Sequence, residues 1–391
     1  MKVTRIRATP YQFELTRKLG DVNFPEGRKA WAGLAVFVDT DEGLTGVGIG
    51  SPGAQEAIHS LEPLVVGQDP RGVRGIWKRM MDYVFKGGNE GVVADALSNI
   101  DMALWDLKAK ANNEPLWKTL GASEPRAKAY ASGLDMPLSD DELRAFYAGM
   151  AAQGVSAGKL KVGLDQDDDL RRLGIMRDAL STAGVRPHLM IDSNEYWSPK
   201  QAIRKIREME EHFDLTWVEE PARRWDYRGL RLVSQSVKAA VATGENLADI
   251  GDFMALIDHQ AVDIVEVGGW TSGITGAMMV ADMAYGFELP VAMMNCPGNF
   301  MAHVAAAMPN HMMMEVVAAG REACFTTDAR IENGWIVLGN APGVGIVYDE
   351  EKLKHLASKT FTPEQRLFPG RRQGAGLYEV PYAPPKAGRR S

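Results

Sequence analysis

The chain is 391 residues long, 45% hydrophobic and 24% charged, a globular composition that excludes a disordered, collagen-like or coiled-coil protein. Its net charge of −7, from 44 basic against 51 acidic side chains, has the wrong sign for nucleic acid or an anionic membrane as partner. Two cysteines, Cys296 and Cys324, exclude a disulfide scaffold; with no apolar run approaching 18 residues and no cleavable leader pattern, the expected address is the cytoplasm.

The first 60 or so residues alternate and turn. MKVTRIRATPYQFEL and AGLAVFVDTDEGLTGVGIG combine period-2 patterning with Asp-Glu-Gly and Gly-rich turn signals, which predicts an antiparallel meander. From Gln55 to Leu120 the period is helical. GVVADALSNIDMALWDLKAKA predicts a long helix stopped by Asn-Asn-Glu-Pro, and a second short helix has Gly121 past its end. Strands followed by helices predict a separate α+β domain over residues 1–125.

From Arg126 to Ala329 short apolar strands alternate with helical segments. Eight strands are predicted at AKAYASG, GKLKVG, HLMID, TWVEEP, AVATGENL, AVDIVEVGG, LPVAMMN and HMMMEVV. Asp192, Glu219 and Glu245 close their strands 27 and 26 residues apart. Eight units of that length need about 208 residues, and 126–329 supplies 204, so the fold class is α/β with a (β/α)8 TIM-type barrel. From Arg330, RIENGWIVLGNAPGVGIVYDEEKL returns to strand-and-turn texture. Residues 330–391 are therefore expected to rejoin the N-terminal domain, the tail GRRQGAGLYEVPYAPPKAGRRS being loop or ordered extension.

In such a barrel the C-terminal strand ends converge on one site. Asp192, Glu219 and Glu245 would repel one another there unless a cation neutralised them, and oxygen-only ligation selects Mg²⁺. The competing reading, three unrelated solvated acids at helix N-termini, leaves the regular spacing unexplained. Strand two ends in Lys159-Leu160-Lys161, whose i and i+2 side chains share a face. At roughly 7 Å and an effective dielectric near 20 their repulsion is ~2.4 kcal/mol, enough to lower one ammonium pKa toward the range of a general base. Two lysines snorkelling outward is the alternative.

The set Lys-x-Lys, Asp, Glu-Glu-Pro and Gly-Glu-Asn, preceded by NIDMALWDLKAKANNEPLWKTLGA and with its Glu-Glu-Pro set in TWVEEPARRWDYRGL, resembles the mandelate racemase subgroup of the enolase superfamily. The resemblance covers residues 1 to about 355. It implies a capping domain built from the N-terminal segment and the C-terminal return, and Mg²⁺ held by Asp192, Glu219 and Glu245 while gripping a substrate carboxylate. The implied chemistry is abstraction of the proton α to that carboxylate, giving an enediolate. Lys161 matches the base, Lys159 its pKa-lowering neighbour, and Asn194 and Glu220 match positions that orient ligands. Specificity is implied to come from two capping loops, TRKLGDVNFPEGRKAW and GIGSPGAQEA, where Arg17, Lys18, Arg28 and Lys29 are candidates for substrate contact and Trp31 and Phe24 for excluding water; a solvated basic loop is the alternative. A homo-oligomer, dimer or octamer, is also implied.

The sequence departs from the subgroup on strands six and seven. The Asp–His dyad expected there falls on Val267 or Gly268 and on Met294, and neither position of strand six supplies the Lys of muconate lactonising enzymes. None of the seven histidines replaces it. Glu266 is a candidate for pointing into the barrel or for a structural pair, Asn295 for a polar contact or a turn, and Glu315 for a substrate hydrogen bond. The clustered methionines Met293, Met294, Met312, Met313 and Met314 read as core filling.

These features predict a Mg²⁺-dependent lyase that dehydrates a sugar acid or related α-hydroxycarboxylate, since one base suffices for syn elimination. A racemase, epimerase or cycloisomerase with an unrecognised second base is the alternative, and a metal-binding barrel without turnover a further one. The expected partner is a small carboxylate, with no nucleic acid and no membrane.

Overall fold

The computed structural model describes residues 1–294, 296–359 and 370–377. It opens with β1 (Val3–Leu19), β2 (Arg28–Thr40) and β3 (Thr45–Gly50), an antiparallel sheet in that order. Then come α1 (Gln55–Leu61), α2 (Val73–Val84), α3 (Gly91–Ala111) and α4 (Leu116–Thr119). α3 is buried nearly all round. Its polar residues therefore need internal partners, and they find them across elements: the Asp106 carboxylate accepts from Val47 N at 2.9 Å and Val344 N at 2.8 Å. Asp101 accepts from Thr275 N at 2.9 Å and Thr275 Oγ1 at 2.6 Å, and Trp105 Nε1 donates to the same hydroxyl at 2.9 Å. The polar letters of NIDMALWDLKAK are thus docking points between the cap, the barrel and the C-terminal return.

The barrel strands are β4 (Arg126–Ser132), β5 (Ala157–Lys161), β6 (His188–Asp192), β7 (Leu215–Glu219), β8 (Ala240–Thr243), β9 (Ile264–Val267), β10 (Val291–Met293) and β11 (His311–Val316). Between them run α5 (Asp140–Ala151), α6 (Gln166–Ser181), α7 (Pro199–Glu210), α8 (Tyr227–Ser234), α9 (Ile250–Asp258), α10 (Gly273–Gly286) and α11 (Ala302–Ala307). Neighbouring strands pair in parallel, and β11 pairs back with β4, closing eight strands into a ring.

β12 (Phe325–Thr327) pairs antiparallel with β15 (Ile346–Tyr348), and the hairpin β13 (Arg330–Glu332) and β14 (Trp335–Val337) adds antiparallel to β4. α12 (Glu350–Ala357) follows. This return touches the cap sheet: the Tyr348 ring lies 5.1 Å from that of Phe37, and its hydroxyl donates to Gly48 O at 3.4 Å. Among the described residues no helix is long and apolar enough to cross a membrane.

Candidate active site

One buried layer of the barrel interior takes a residue from every strand: Tyr130, Ala157, Met190, Trp217, Ala242, Ile264, Ala292 and Met313. Because strand side chains alternate, the residue two further on faces the same interior one layer nearer the C-terminal rim. That step gives Ser132, Lys159, Asp192, Glu219, Gly244, Glu266, Met294 and Glu315. An apolar floor therefore carries a charged storey with Lys159 as its cation, and Lys161 stands one step above it.

Lys159 is fully buried and pairs with Glu219, with Glu315 at 3.2 Å and with Asp192 at 3.5 Å. Its ammonium also lies 5.5 Å from the centre of the Tyr130 ring, a cation–π contact. Lys161 pairs with Asp192. These contacts correct the expectation that mutual repulsion lowers the lysine pKa values. Burial is the largest single influence on Lys161 and pushes it down, as Lys159 does, but Asp192, Glu245 and Glu219 together hold it above the ordinary lysine value. Lys159 is likewise raised, Glu219 and Glu315 prevailing over burial. Pairwise repulsion of two ammoniums omitted the carboxylates packed around them.

Asp192 and Glu219 end adjacent strands in register, and Glu245 follows Gly244 beyond β8. Gly244 has φ +134°, and a Cβ there would run into the Glu266 carbonyl, so only glycine lets the chain turn Glu245 to this place. Burial pushes Glu219 up to about 7 and Glu245 up to about 8, repulsion from Asp192 and from Glu219 respectively adding to it. Asp192 stays at about 2 because Lys161 and Lys159 outweigh its burial. Among the described residues no three such side chains stand at coordination spacing; Asp192 and Glu219 are paired with the ammoniums of Lys161 and Lys159. The donor set nevertheless fits a hard divalent cation. Three oxygen-only ligands from successive strands, two of them unwilling to ionise without positive charge, are what Mg²⁺ would take.

The chain beside these ligands is strained. Asn194, Glu195 and Glu220 have φ of 41°, 57° and 45°, in the left-handed region where side chains cost roughly 1 kcal/mol or more each. That geometry turns Asn194 N to donate to Asp192 Oδ1 at 2.8 Å, and Asn246 Nδ2 donates to Glu220 Oε1 at 2.7 Å. Sequence reasoning missed Asp135, which is fully buried, accepts from Lys161 N at 3.1 Å and from the Tyr147 hydroxyl at 2.6 Å, and so fixes the strand beneath Lys161. Its signal was a lone acid in the loop after the first barrel strand.

On the opposite side, Met294 N donates to Val267 O at 2.9 Å, so the two residues that replace the expected dyad do stand side by side, and both are buried. Glu266 does point inward. Neither of its carboxyl oxygens meets a donor group, and burial, then the adjoining Glu219 carboxyl, drives its pKa well above the carboxylate range. Glu315 pairs with Lys159, and Asn295 lies outside the described residues.

From the cap, Trp31 packs partly buried against the core and Arg28 stacks on the Phe24 ring with its carbon 4.6 Å from the centroid. Arg17 is a correction. Its guanidinium donates to the carbonyls of Gly133 and Val317 and lies over Phe146, which commits it to docking the cap. A different arginine, Arg321 after β11, lies in the field of Glu315 and keeps its Nε sealed from solvent without a hydrogen-bond partner.

Comparison with known proteins agrees with this geometry. Residues 142–352 match the family described as Enolase C-terminal domain-like, and residues 31–121 the Mandelate racemase / muconate lactonizing enzyme N-terminal domain. The chain is 29% identical to the 3,6-anhydro-alpha-L-galactonate cycloisomerase of Streptomyces coelicolor, over 91% of this chain and 99% of that one. It is 26% identical to the arabinonate dehydratase of Saccharolobus solfataricus, over 82% and 91%. The crystal structure of L-talarate/galactarate dehydratase from Salmonella typhimurium LT2 liganded with Mg and L-lyxarohydroxamate superposes with a TM-score of 0.82 at 25% identity, covering 90% of this chain and 92% of that one.

Proposed function

The chain belongs to the mandelate racemase/muconate lactonising enzyme family of the enolase superfamily, and on that premise we propose that it is a Mg²⁺-dependent hydro-lyase that dehydrates an acid sugar. The observation that carries the reading is the asymmetry of the mouth. Lys161 pairs with Asp192, one of three carboxylates that close successive strands, while the positions that the family resemblance gives to a second acid/base fall on Val267 or Gly268 and on Met294. When bound by Asp192, Glu219 and Glu245, Mg²⁺ supplies a Lewis acid that neutralises charge building on the substrate carboxylate.

Once Asp192 is engaged elsewhere, Lys161 gives up its ammonium proton to solvent and as the neutral amine takes the α-proton. The C–H electron pair becomes the new C=C bond, and the β-hydroxyl departs as water with the proton that Lys161 hands back on the same face. The enol product then tautomerises to a 2-keto-3-deoxy acid. Lys159 pairs with Glu219 and Glu315 beneath the reacting carbon, and Asn194 and Asp135 hold Asp192 and Lys161 in place.

Incubating a panel of acid sugars with enzyme and Mg²⁺, and following keto-acid formation together with α-proton exchange in D₂O, tests the proposal. Keto-acid from at least one substrate is expected. Exchange without keto-acid would instead make the protein an epimerase or, as its similarity to a cycloisomerase supports, a ring-opening isomerase. Neither signal would leave a metal-binding barrel.

A further inference from the structure

Both family matches end by residue 352, and the cycloisomerase is covered over 99% of its own length by 91% of this chain. This chain therefore carries residues without a counterpart there. Part of what lies past the family domain, residues 370–377, is described, and it rests on the active-site rim. Arg371 Nη2 donates to Glu195 O at 2.8 Å, Arg372 N donates to the Asn23 side-chain oxygen at 3.1 Å, and Gly376 N donates to Tyr196 O. Ala375 is buried beneath the segment.

These contacts join two parts of the site. Asn23 belongs to the cap loop between β1 and β2, where Asp21 Oδ1 accepts from Asn23 N at 2.7 Å and from Phe24 N at 3.2 Å in a tight turn. Its side-chain nitrogen donates to Asn194 O at 3.1 Å, and Asn194 N in turn holds metal-ligand candidate Asp192 at 2.8 Å. Val22 in the same loop is fully buried and abuts Gly163, two residues past Lys161. One asparagine thus accepts from the C-terminal segment and donates to the barrel rim. The left-handed φ of Glu195 turns its carbonyl toward Arg371 while its carboxylate is taken by Arg224 at 2.5 Å. Gly376, with φ +74°, lies against the Arg371 guanidinium where a Cβ would intrude.

We propose that residues 370–377 form a strap that pins the cap loop 20–27 to the β6–α7 rim, so that order over the substrate-binding side of the site depends on residues outside the family domain. Arg371 and Asn23 are its positioning residues. The inference takes the site's location from the reading above, but its first test is independent of turnover.

Amide hydrogen exchange across residues 19–31 is to be compared in the full chain, in Arg371→Ala, in Arg372→Pro, in Arg372→Ala and in a chain ending at Lys359. Exchange at Asp21–Gly27 should rise about fivefold or more in Arg371→Ala, Arg372→Pro and the truncation, because protection there reports local opening and each variant removes a hydrogen bond by which the segment holds the rim or the cap loop. Arg372→Ala should be silent, since its contribution is a backbone N–H that proline lacks and alanine keeps. Affinity for Mg²⁺ alone, measured calorimetrically, should hold within about twofold, the strap touching no ligand side chain. Where an acid sugar turns over, KM should rise with kcat little changed. Unaltered exchange in Arg371→Ala and Arg372→Pro would overturn the strap, as would a rise shared equally by the β2–β3 amides, which would mark general loosening.

Discussion

The two sides of the barrel mouth are built on one backbone rule and carry opposite chemistry. On β5 to β8 the step of two residues above the apolar floor reaches Lys159, Asp192 and Glu219, with Glu245 just beyond Gly244. On β9 and β10 the same step reaches Glu266 and Met294, both buried, and burial with Glu219 alongside disfavours the charged form of Glu266. The same geometry thus supports a cation site on one side and an inert wall on the other.

The largest effect is expected where the charged side is broken. Glu219→Gln or Glu245→Gln should reduce Mg²⁺ affinity by more than about 100-fold, beyond the range for residues that merely orient ligands, with loss of turnover but an unchanged far-UV spectrum. Calorimetry with and without EDTA checks it, and turnover surviving both substitutions would refute the metal assignment.

Next comes the base. Lys161→Met should lower turnover by about 10²–10⁴ and abolish α-proton exchange in D₂O for substrates of either configuration, because the wall of Val267 and Met294 offers no second base. Stereospecific exchange persisting in that variant would mean the wall is not inert, and Glu266 and Glu315 would be the groups to substitute.

The apolar side should reveal itself in stability instead. Behind β10, His303 is buried at 1% exposure, its Nδ1 accepts from Trp117 N at 3.0 Å, and burial holds its pKa down to about 4. The unfolded chain takes up that proton near its ordinary value of 6.5, so stability contributed by neutral His303 is complete above that pH. It should be lost progressively as pH falls to about 4, about 3 kcal/mol in all. Urea midpoints at stepped pH measure this, and His303→Asn, which keeps an acceptor but does not titrate, should flatten the slope. The smallest effect is expected in the cap: Trp31→Ala should weaken substrate binding several-fold while Mg²⁺ affinity holds, and an equal loss of both would contradict the division between loop and ligands.

The barrel and its carboxylates were legible because their signal is local: strand-end acids 27 and 26 residues apart and side chains alternating with period two. For Glu266 the sequence left pointing inward and a structural pair open, and the alternation along β9 is what turns it inside. What escaped depended on contacts between distant segments. Arg17 reads as a basic loop residue, yet its partners are two backbone carbonyls, which leave no mark in a sequence. The sign of the Lys161 shift was missed because a pair of lysines is visible in Lys-x-Lys, whereas the counter-charge around it comes from other strands. Asp101 and Asp106 were recognisable as motif letters, but only packing shows that they dock the cap helix.

Arg17 reaches from the cap strand to Gly133 O at the end of the first barrel strand and to Val317 O at the end of the eighth. Those are the two strands whose pairing closes the ring, so a guanidinium from outside the barrel staples its seam. The cap is consequently not an interchangeable lid. A chimera that exchanges β1 for that of a relative must bring an arginine at this position, or the barrel will open most readily between its first and last strands; conversely, a circular permutant cut elsewhere but retaining the graft of β1 across that seam should keep the ring shut.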